Sequence, residues 1–367
     1  MTEQNRHGRH SGSGRHSHHH SHRSSRTRRF KHRFKRWLRK HKWTGVAAIL
    51  LVVVLAATAF WMRRDMKSRM RYQVTSGRKV DVGAGYQNIM YNGKAYRYNN
   101  RVTAILYAGI DSNEPLEART AYTAAPRADS VSLVVLDELN ERISIVALNR
   151  DTMTGIHKYT VDGKDRGVFT DHLSLSFAYC DGGEMSCKNL CQAVSDLMYG
   201  IPISGYVVSN IATLPMVGEL VGPVDVVVPN DDLADMGYAA GQTVTVDSDN
   251  LMEYVRSRDT AQDFSNVGRM QRQQSYVDGA IDKIMQLLTE DANTAWDFVQ
   301  RAEDSVLTDI TRNRYLNLTK ILKHTHYSAD DYYTPEGEQV VGRRYDEFYP
   351  DMDALQEKVI DLFYIEK

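Results

Sequence analysis

One uninterrupted apolar run dominates the hydrophobic pattern at the N-terminal end of the chain. Residues 43–62 read WTGVAAILLVVVLAATAFWM and include no charged side chain. As a helix this run extends about 30 Å, the thickness of a membrane's hydrocarbon core. Trp43 and Trp61 lie near its ends, where indole rings favour the interface. The run therefore predicts an uncleaved transmembrane helix, because the basic region before it is too long for a signal peptide and no A-x-A site follows.

From residue 87 onward the pattern changes to short apolar runs separated by turn residues. Asn92-Gly93, flanked by two such runs, predicts a β-hairpin. The lengths and β-branched residues of the next three runs predict strands buried on both faces. Strands are predicted at 102–110, 130–136, 142–148, 205–208 and 224–228, and helices at 187–199, 211–220, 249–255 and 266–288. This alternation predicts an α/β fold, a mixed central sheet covered by helices, preceded by one transmembrane helix.

The charge pattern divides the chain at the apolar run. Residues 1–42 contain fourteen Lys and Arg, nine His and one acid, whereas the remainder contains 32 Lys and Arg against 45 Asp and Glu. The more basic side of a membrane helix stays in the cytoplasm. We therefore expect a single-pass cell-membrane protein with a cytoplasmic N-terminus and an extracytoplasmic C-terminal domain. No nucleic-acid-binding motif is visible, so no nucleic-acid partner is expected.

Five segments make up the predicted organisation. A basic cytoplasmic tail at 1–42 is too polar to bury a core and is expected to be disordered. The transmembrane helix at 43–62 follows, and 63–100 form a juxtamembrane linker and hairpin. Residues 101–290 form the main extracytoplasmic domain, and 291–367 show helical patterns that complete its packing.

Arginines are concentrated in the stretch EYVRSRDTAQDFSNVGRMQRQQ, residues 253–274. Guanidinium groups match phosphate oxygens in a bidentate way, so several that converge imply a multiply charged anion. Arg269, Arg272 and Gln273 stand at i, i+3 and i+4 near the start of a predicted helix, where backbone N–H groups also attract anions. A solvated helix face with surface ion pairs is the alternative interpretation.

Arg256 and Arg258 are two positions apart and would face opposite ways on one continuous helix. We therefore expect the helix at 249–255 to end by Ser257. Both arginines can then reach the same site.

Charged side chains also flank the first three strands of the main domain. Asp111 ends the first run, Asp129 precedes the second, and Arg150 and Asp151 follow the third. Ligands of open α/β sheets gather at one edge of the strands, so Asp111 and Arg150 could converge there. Two carboxylates at such an edge can hold Mg²⁺ that is shared with substrate phosphates. An aspartate beside a strand is also a common turn residue.

Three cysteines, Cys180, Cys187 and Cys191, lie within one short window. A disulfide is chemically allowed outside the membrane. Helix geometry is poor for joining Cys187 to Cys191. A bond between Cys180 and either of the other two is therefore favoured, which leaves one free thiol.

Six short motifs occur together in a fixed order. They are Asp111 after an apolar strand, Arg127-x-Asp129-Ser130, Arg150-Asp151-Thr152, Val221-Gly222-Pro223-Val224-Asp225-Val226, Tyr254-Val255-Arg256-Ser257-Arg258 and Gly268-Arg269-Met270-Gln271-Arg272-Gln273. In this order and spacing the chain resembles the LytR-CpsA-Psr family of bacterial envelope proteins, over roughly residues 100–290.

This resemblance implies a phosphotransferase at the outer face of the cytoplasmic membrane. Family members take an anionic glycopolymer, such as wall teichoic acid or capsular polysaccharide, from an undecaprenyl-pyrophosphate carrier and join it through a phosphodiester to peptidoglycan. The implied partners are the lipid-linked glycopolymer, peptidoglycan and membrane lipid, and pyrophosphatase activity is an implied side reaction. The family also has a hydrophobic pocket for the polyprenyl chain, whose lining residues the motifs do not identify.

Matching the motifs by position assigns implied roles to individual residues. Asp111 and Asp129 correspond to aspartates associated with Mg²⁺. The implied substrate-binding set comprises Arg127, Arg150, Arg256, Arg258, Arg269, Arg272 and Gln273. Arg150 is also counted as catalytic together with Asp129 and Asp151. Either aspartate could accept the proton of the incoming hydroxyl, so the general base stays unassigned.

Two other functions would use the same residues. A receptor that binds polyprenyl-phosphate lipids, or a regulator of envelope assembly without transferase activity, needs the same arginines and pocket. Product formation from a lipid-linked polymer distinguishes the enzyme from both. Transcription regulation is disfavoured, because the cytoplasmic tail is too short for a folded DNA-binding module.

Overall fold

The computed structural model of the chain describes residues 88–119, 126–291 and 293–367. The predicted tail at 1–42, the predicted transmembrane helix at 43–62 and the first part of the predicted linker lie outside these ranges. Among the helices in the described ranges, none combines the length and the apolar character needed to cross a membrane.

Strands and helices alternate along most of the described chain. In chain order the strands are β1 (Asn88–Tyr91), β2 (Lys94–Tyr98), β3 (Val102–Ile110), β4 (Ala128–Asp137), β5 (Arg142–Leu148), β6 (Met153–Tyr159), β7 (Asp165–His172), β8 (Gly205–Asn210), β9 (Val224–Val227), β10 (Thr243–Val246), β11 (Val306–Thr308), β12 (His326–Tyr333), β13 (Gly337–Val341), β14 (Asp346–Pro350) and β15 (Tyr364–Glu366). The α-helices are α1 (Leu175–Ala178), α2 (Glu184–Leu197), α3 (Thr213–Val221), α4 (Leu251–Arg256), α5 (Ser265–Glu290), α6 (Thr294–Ala302), α7 (Arg312–Leu322) and α8 (Met352–Phe363).

A six-stranded sheet, in the order β11-β8-β3-β4-β5-β12, forms the centre of the domain. β3, β4 and β5 are antiparallel neighbours, whereas β8 joins β3 and β12 joins β5 in parallel. The sheet is therefore mixed, as predicted, and helices cover it. The predicted Asn92-Gly93 hairpin is also present: both residues have positive φ, 48° and 77°, as a tight two-residue β-turn requires.

The two faces of the central sheet have different surroundings. On one face alternate residues of β3 and β4, such as Leu106 and Leu133, are buried against α2 and α8. On the other face the alternate residues, such as Ile105, Tyr107 and Ser132, line an open cavity. The prediction that these strands are buried on both faces is therefore wrong for β3 and β4, because a cavity replaces the second packed layer.

The C-terminal segment after α5 differs from its predicted helical character. It contains α6, α7 and α8, but also five strands. β11 and β12 are the two outer strands of the central sheet, and β15 pairs with β2. The segment therefore completes the sheet as well as the helical layers. Three of these strands, β11, β12 and β15, pair with segments far away in the chain, which a local sequence pattern does not show.

The predicted disulfide is wrong, because Cys180, Cys187 and Cys191 are all free and buried. Cys187 and Cys191 lie on α2 and pack in the main hydrophobic core. Burial raises the pKa of the Cys180 thiol to about 12, and it also raises the pKa values of the other two thiols. Protonated thiols in an apolar core are typical of structural cysteines.

Candidate active site

The charged side chains that flank β3, β4 and β5 meet at one edge of the central sheet. β3 and β5 run parallel to each other and antiparallel to β4. The ends of β3 and β5 and the beginning of β4 therefore lie side by side. A register shift after Gly109 offsets the end of β3 from β4, and the backbone N–H of Asp111 donates to the Arg127 carbonyl over 3.1 Å.

Asp129 is the centre of a buried ion-pair cluster. Arg150 Nη1 donates to Asp129 Oδ1, and Arg269 Nη1 donates to Asp129 Oδ2 over 3.0 Å. A second donor of Arg269 bonds the Asp129 carbonyl at 3.2 Å. The side chains of Arg150 and Arg269 are only 9% and 4% exposed. Two positive charges thus share the Asp129 carboxylate.

The same two arginines keep unused donor capacity. Within the described residues, Nε of Arg150 and Nε of Arg269 are buried without a hydrogen-bonded acceptor. Arg150 Nε lies 3.3 Å from Asp151 Oδ1, but the groups are not aligned for a hydrogen bond. Buried unpaired donors are costly, and burial lowers the pKa of Arg269. An anion with several oxygens would supply the missing acceptors and charge.

Arg256 and Arg258 reach the site from the end of α4. The helix ends at Arg256, and Ser257 is extended with ψ 142°, so the prediction that it ends by Ser257 is confirmed. Arg256 Nη2 lies 2.6 Å from Asp111 Oδ1. Arg258 Nη1 donates to Ser265 Oγ over 3.1 Å at the beginning of α5. The change of direction at Ser257 therefore sends the two arginines to different parts of one cluster.

Arg272 does not belong to this cluster, contrary to the prediction. Its side chain is fully buried, and its guanidinium donates to the carbonyls of Tyr254 and Ser257 and to the side chains of Asn230 and Asp232. A Cβ added to Gly268 would lie 1.6 Å from Asp232 Oδ2, so this glycine leaves room for the aspartate. Arg272 joins the loop at 230–232 and the end of α4 to α5.

We expect an Arg272→Met variant to lose about 2–4 kcal/mol of unfolding free energy, because Asp232 and the bonded carbonyls lose their shared donor. Turnover measured well below the melting temperature should stay close to that of the wild type. Chemical denaturation and kinetic assays check both points. Arg301→Met makes the same change at an exposed position of α6; it is the control and should change stability by about 0.5 kcal/mol or less. Lost turnover with unchanged stability would return Arg272 to the substrate-binding set.

Asn149 and Asn266 position the cluster, and the sequence motifs did not identify either. Asn266 Nδ2 donates to Asn149 Oδ1 over 2.8 Å, and its own Oδ1 accepts from Arg269. Asn149 Oδ1 also accepts the backbone N–H of Asp151 over 2.9 Å. The placement of Asn149 before Arg150-Asp151 was the available signal in the sequence.

Asp151 differs electrostatically from Asp129. Burial raises the pKa of Asp151, while Arg150, His172, Arg258 and Arg269 partly oppose that shift. Its side chain is 14% exposed. A carboxylate with a raised pKa is a stronger base than an ordinary aspartate, whereas Asp129 is already engaged by two arginines.

A large apolar cavity opens beside the cluster, between the central sheet and the helices α3, α5, α6 and α7. Its volume is about 630 Å³, within the range of natural ligand sites. Aliphatic and aromatic side chains dominate its wall, including Ile105, Val134, Leu220, Ile281, Met285, Phe298 and Leu318. At the charged end the wall includes Asp111, Asp129, Arg256, Arg269 and Gln273. The cavity suits a long apolar chain that ends in an anionic group.

A second cleft adjoins the same cluster and has a different lining. Its volume is about 430 Å³, and Arg127, Arg150, Asp151 and Arg258 line it. Every predicted site residue except Arg272 therefore lines either the apolar cavity or this cleft.

The carboxylates at the site can bind Mg²⁺ only when a phosphate supplies further oxygen ligands. In the part of the chain that the structure describes, no group of three or more His, Cys, Asp or Glu side chains could hold a metal ion. Mg²⁺ needs one or two carboxylates when waters and phosphate oxygens complete its octahedron. Asp111 and Asp129, which line one cavity beside arginines, fit that smaller donor set.

Known proteins share both the sequence pattern and the fold. The model of the LytR_cpsA_psr family matches residues 60–357. A polyisoprenyl-teichoic acid–peptidoglycan teichoic acid transferase, TagU of Bacillus cereus, is 26% identical over 215 residues, which are 57% of this chain and 63% of that relative. TagU of Bacillus anthracis is 24% identical over 211 residues, with the same shares of the two chains. The chain thus matches less than two thirds of the length of these curated relatives.

Solved structures show the same architecture. The structure of TagV from B. subtilis has a TM-score of 0.52 at 21% identity and covers 71% of this chain and 96% of its own. The structure of TagT bound to LI-WTA has a TM-score of 0.53 at 19% identity, and the match covers 77% of this chain and 96% of that one. At these identities the likeness shows the shared fold alone.

Proposed function

Because the chain belongs to the LytR_cpsA_psr family, we propose that it transfers an anionic glycopolymer from an undecaprenyl-pyrophosphate carrier to a peptidoglycan hydroxyl. The product is a phosphodiester between polymer and peptidoglycan. The observation that most supports this proposal is the contact between the arginine cluster and the apolar cavity. A polyprenyl chain suits the cavity, and its pyrophosphate suits the arginines with unused donors. The proposal also places the domain outside the cell, behind a single membrane anchor.

Arg150 and Arg269 would neutralise the charge of the transferred phosphoryl group. Phosphoryl transfer depends mainly on positioning and electrostatic stabilisation. Both guanidinium groups are buried, so their charges act in a medium of low dielectric constant. Gln273 is positioned by its bond to the Val255 carbonyl, over 3.0 Å, at the charged end of the cavity. Asp151 is the proposed base, because its raised pKa suits it to accept the proton of the incoming hydroxyl.

We further propose that Asp111 and Asp129 hold Mg²⁺ together with pyrophosphate oxygens. When bound, the ion would neutralise phosphate oxygens and favour departure of the lipid phosphate. The arginines that now bond these carboxylates would then bond phosphate oxygens instead.

An Asp111→Asn variant is expected to need about tenfold more Mg²⁺ for half-maximal turnover, because one anionic ligand is lost. A titration of Mg²⁺ into chelator-treated full-length protein measures this shift. Asp235→Asn removes an exposed carboxylate that lines neither the cavity nor the cleft and should leave the titration unchanged. An identical Mg²⁺ requirement in wild type and Asp111→Asn would argue against the metal assignment.

Reconstitution tests the proposed reaction directly. The full-length protein in lipid nanodiscs is given a labelled undecaprenyl-pyrophosphate-linked teichoic acid precursor, Mg²⁺ and peptidoglycan oligosaccharides. The expected result is labelled polymer attached to the oligosaccharide through a phosphodiester, detected by mass analysis. Tight binding of the precursor without any product would instead support a lipid-binding receptor.

A further inference from the structure

One wall of the polar cleft beside the arginine cluster is formed by residues outside the six sequence motifs. The turn between β13 and β14, residues 342–345, forms this wall. Arg343, Arg344 and Tyr345 are exposed there. The opposite wall includes Arg127, Arg150 and other residues of the cluster. The cleft is therefore built from the predicted site on one side and a C-terminal hairpin on the other.

Several contacts fix this hairpin to the residues that flank the site. The Asp346 carboxylate accepts the backbone N–H of Phe264 over 2.7 Å, where Phe264 has a left-handed backbone (φ 59°) immediately before α5. The Phe348 N–H donates to the Asp151 carbonyl over 2.9 Å. His172 Nε2 lies 2.9 Å from the Asp346 carbonyl. The hairpin therefore has a defined position relative to Asp151 and the start of α5.

The lining of the cleft suits a sugar chain with negative charges. Five arginines and three aspartates line it, so positive charge predominates. The Arg127 guanidinium lies over the Tyr345 ring, 4.7 Å from its centroid, and donates to the Tyr345 hydroxyl over 3.2 Å. Tyr345 is 51% exposed and offers an apolar ring face and a polar edge. Sugars have the complementary combination of apolar C–H faces and hydroxyl groups.

The geometry of phosphoryl transfer requires separate places for the leaving group and for the attacking hydroxyl. The attacking and leaving oxygens lie roughly in line on opposite sides of the phosphorus. In the proposed reaction the leaving group is the lipid phosphate, whose chain extends into the apolar cavity. The attacking hydroxyl must then approach from the side away from that cavity. The cleft shares no lining residue with the cavity, and Arg150, which lines the cleft, bonds the cavity-lining Asp129, so the cleft gives an acceptor hydroxyl an approach to the cluster that is separate from the cavity.

We propose that this cleft is the acceptor site, and that the hairpin turn at Arg343, Arg344 and Tyr345 binds an anionic glycan strand of peptidoglycan. The inference rests on the proposed transferase function. The acceptor hydroxyl oxygen forms a bond to the phosphorus that bears the glycopolymer, and the bond from that phosphorus to the bridging oxygen breaks. The lipid phosphate leaves with the electron pair, and the hydroxyl proton passes to the Asp151 carboxylate.

An Arg343→Ala/Arg344→Ala double variant tests the acceptor site. With peptidoglycan tetrasaccharides that carry stem-peptide carboxylates as acceptor, the KM for the acceptor is expected to rise about tenfold. The turnover number at saturating acceptor and the dissociation constant of the lipid-linked donor should stay within about twofold of wild type. Both arginines are exposed, so the melting temperature should not change. The assay uses the full-length protein in nanodiscs.

An Arg301→Ala/Lys320→Ala double variant is the matched control, because it removes two exposed positive charges that do not line the cleft. It should not change the acceptor KM. A weakened donor affinity in the hairpin variant would overturn the proposal and assign the cleft to the donor's polymer. An unchanged acceptor KM would overturn it as well. Failure of the wild-type protein to transfer any polymer would instead contradict the proposed function itself.

Discussion

An Arg150→Ala variant is expected to lose at least about a thousandfold in the turnover number for polymer transfer, while the protein stays folded. In the proposed reaction the buried guanidinium stabilises charge on the transferred phosphoryl group, and comparable arginines contribute about 10³–10⁵ in rate. Arg150 Nη1 bonds Asp129, and its Nε is buried without an aligned acceptor. The measurement is single-turnover transfer with saturating donor, which separates chemistry from binding.

Arg142→Ala is the matched control for this experiment. Arg142 begins β5, whereas Arg150 follows its end. Arg142 also pairs with aspartates, Asp331 and Asp361, so both variants remove one arginine and its ion pairs, at opposite ends of β5. Arg142→Ala should reduce stability and keep the turnover number. Arg150→Lys keeps the charge but loses the planar fork, so it should recover only part of the rate. Wild-type turnover in Arg150→Ala would exclude the proposed role.

The sequence was informative wherever local pattern determines structure. The runs at 102–110 and 142–148 are β3 and β5 without any shift of boundary, because their β-branched residues pack against direct neighbours in the sheet. Once these strands are adjacent, antiparallel pairing through β4 brings Asp111, Asp129 and Arg150 to one edge. The approximate location of the site therefore follows from the strand pattern.

Arg272 shows that helical spacing alone does not predict which side chains of a helix reach the site. Spacing alone places it beside Arg269 and Gln273 on α5. The loop at 230–232 and the end of α4 at 254–257 cover that side of α5 and accept the hydrogen bonds of Arg272. Their position depends on the fold of distant segments, which a local periodic pattern does not contain.

The lining of the apolar cavity and the position of the hairpin were not identified from the sequence, for a related reason. An apolar strand face has the same sequence pattern whether a packed layer or a cavity covers it. The helices α5, α6 and α7 line the cavity opposite the sheet, and they come later in the chain, so the strand pattern alone does not decide between these cases. Likewise, β12 pairs with β5 across nearly two hundred residues, and the hairpin that follows β12 also bonds Asp151, His172 and Phe264, which lie far from it in the chain.

A Ser132→Trp variant is expected to weaken binding of the undecaprenyl-linked donor by about a hundredfold or more. Ser132 lies in the middle of β4 and faces the apolar cavity, so an indole there would occupy space that the polyprenyl chain needs. An indole displaces roughly the volume of one isoprene unit, and each buried CH₂ contributes about 0.8 kcal/mol. A loss of about 3 kcal/mol of binding free energy raises the dissociation constant by a little over two orders of magnitude. Equilibrium binding of a fluorescent donor measures the change.

A donor analogue with a short isoprenoid chain separates this effect from damage to the arginine cluster. Ser132 lies three residues, about 10 Å, along β4 from Asp129. An analogue with a single isoprene unit ends before it, so Ser132→Trp should bind this analogue nearly as well as wild type does. Val227→Trp adds the same indole to an exposed position on β9, 58% exposed, and should not change the affinity for either donor. The cavity volume of about 630 Å³ accommodates the indole, so the melting temperature of Ser132→Trp should be maintained. Equal loss of affinity for long and short donors would contradict a lipid-binding role for the cavity.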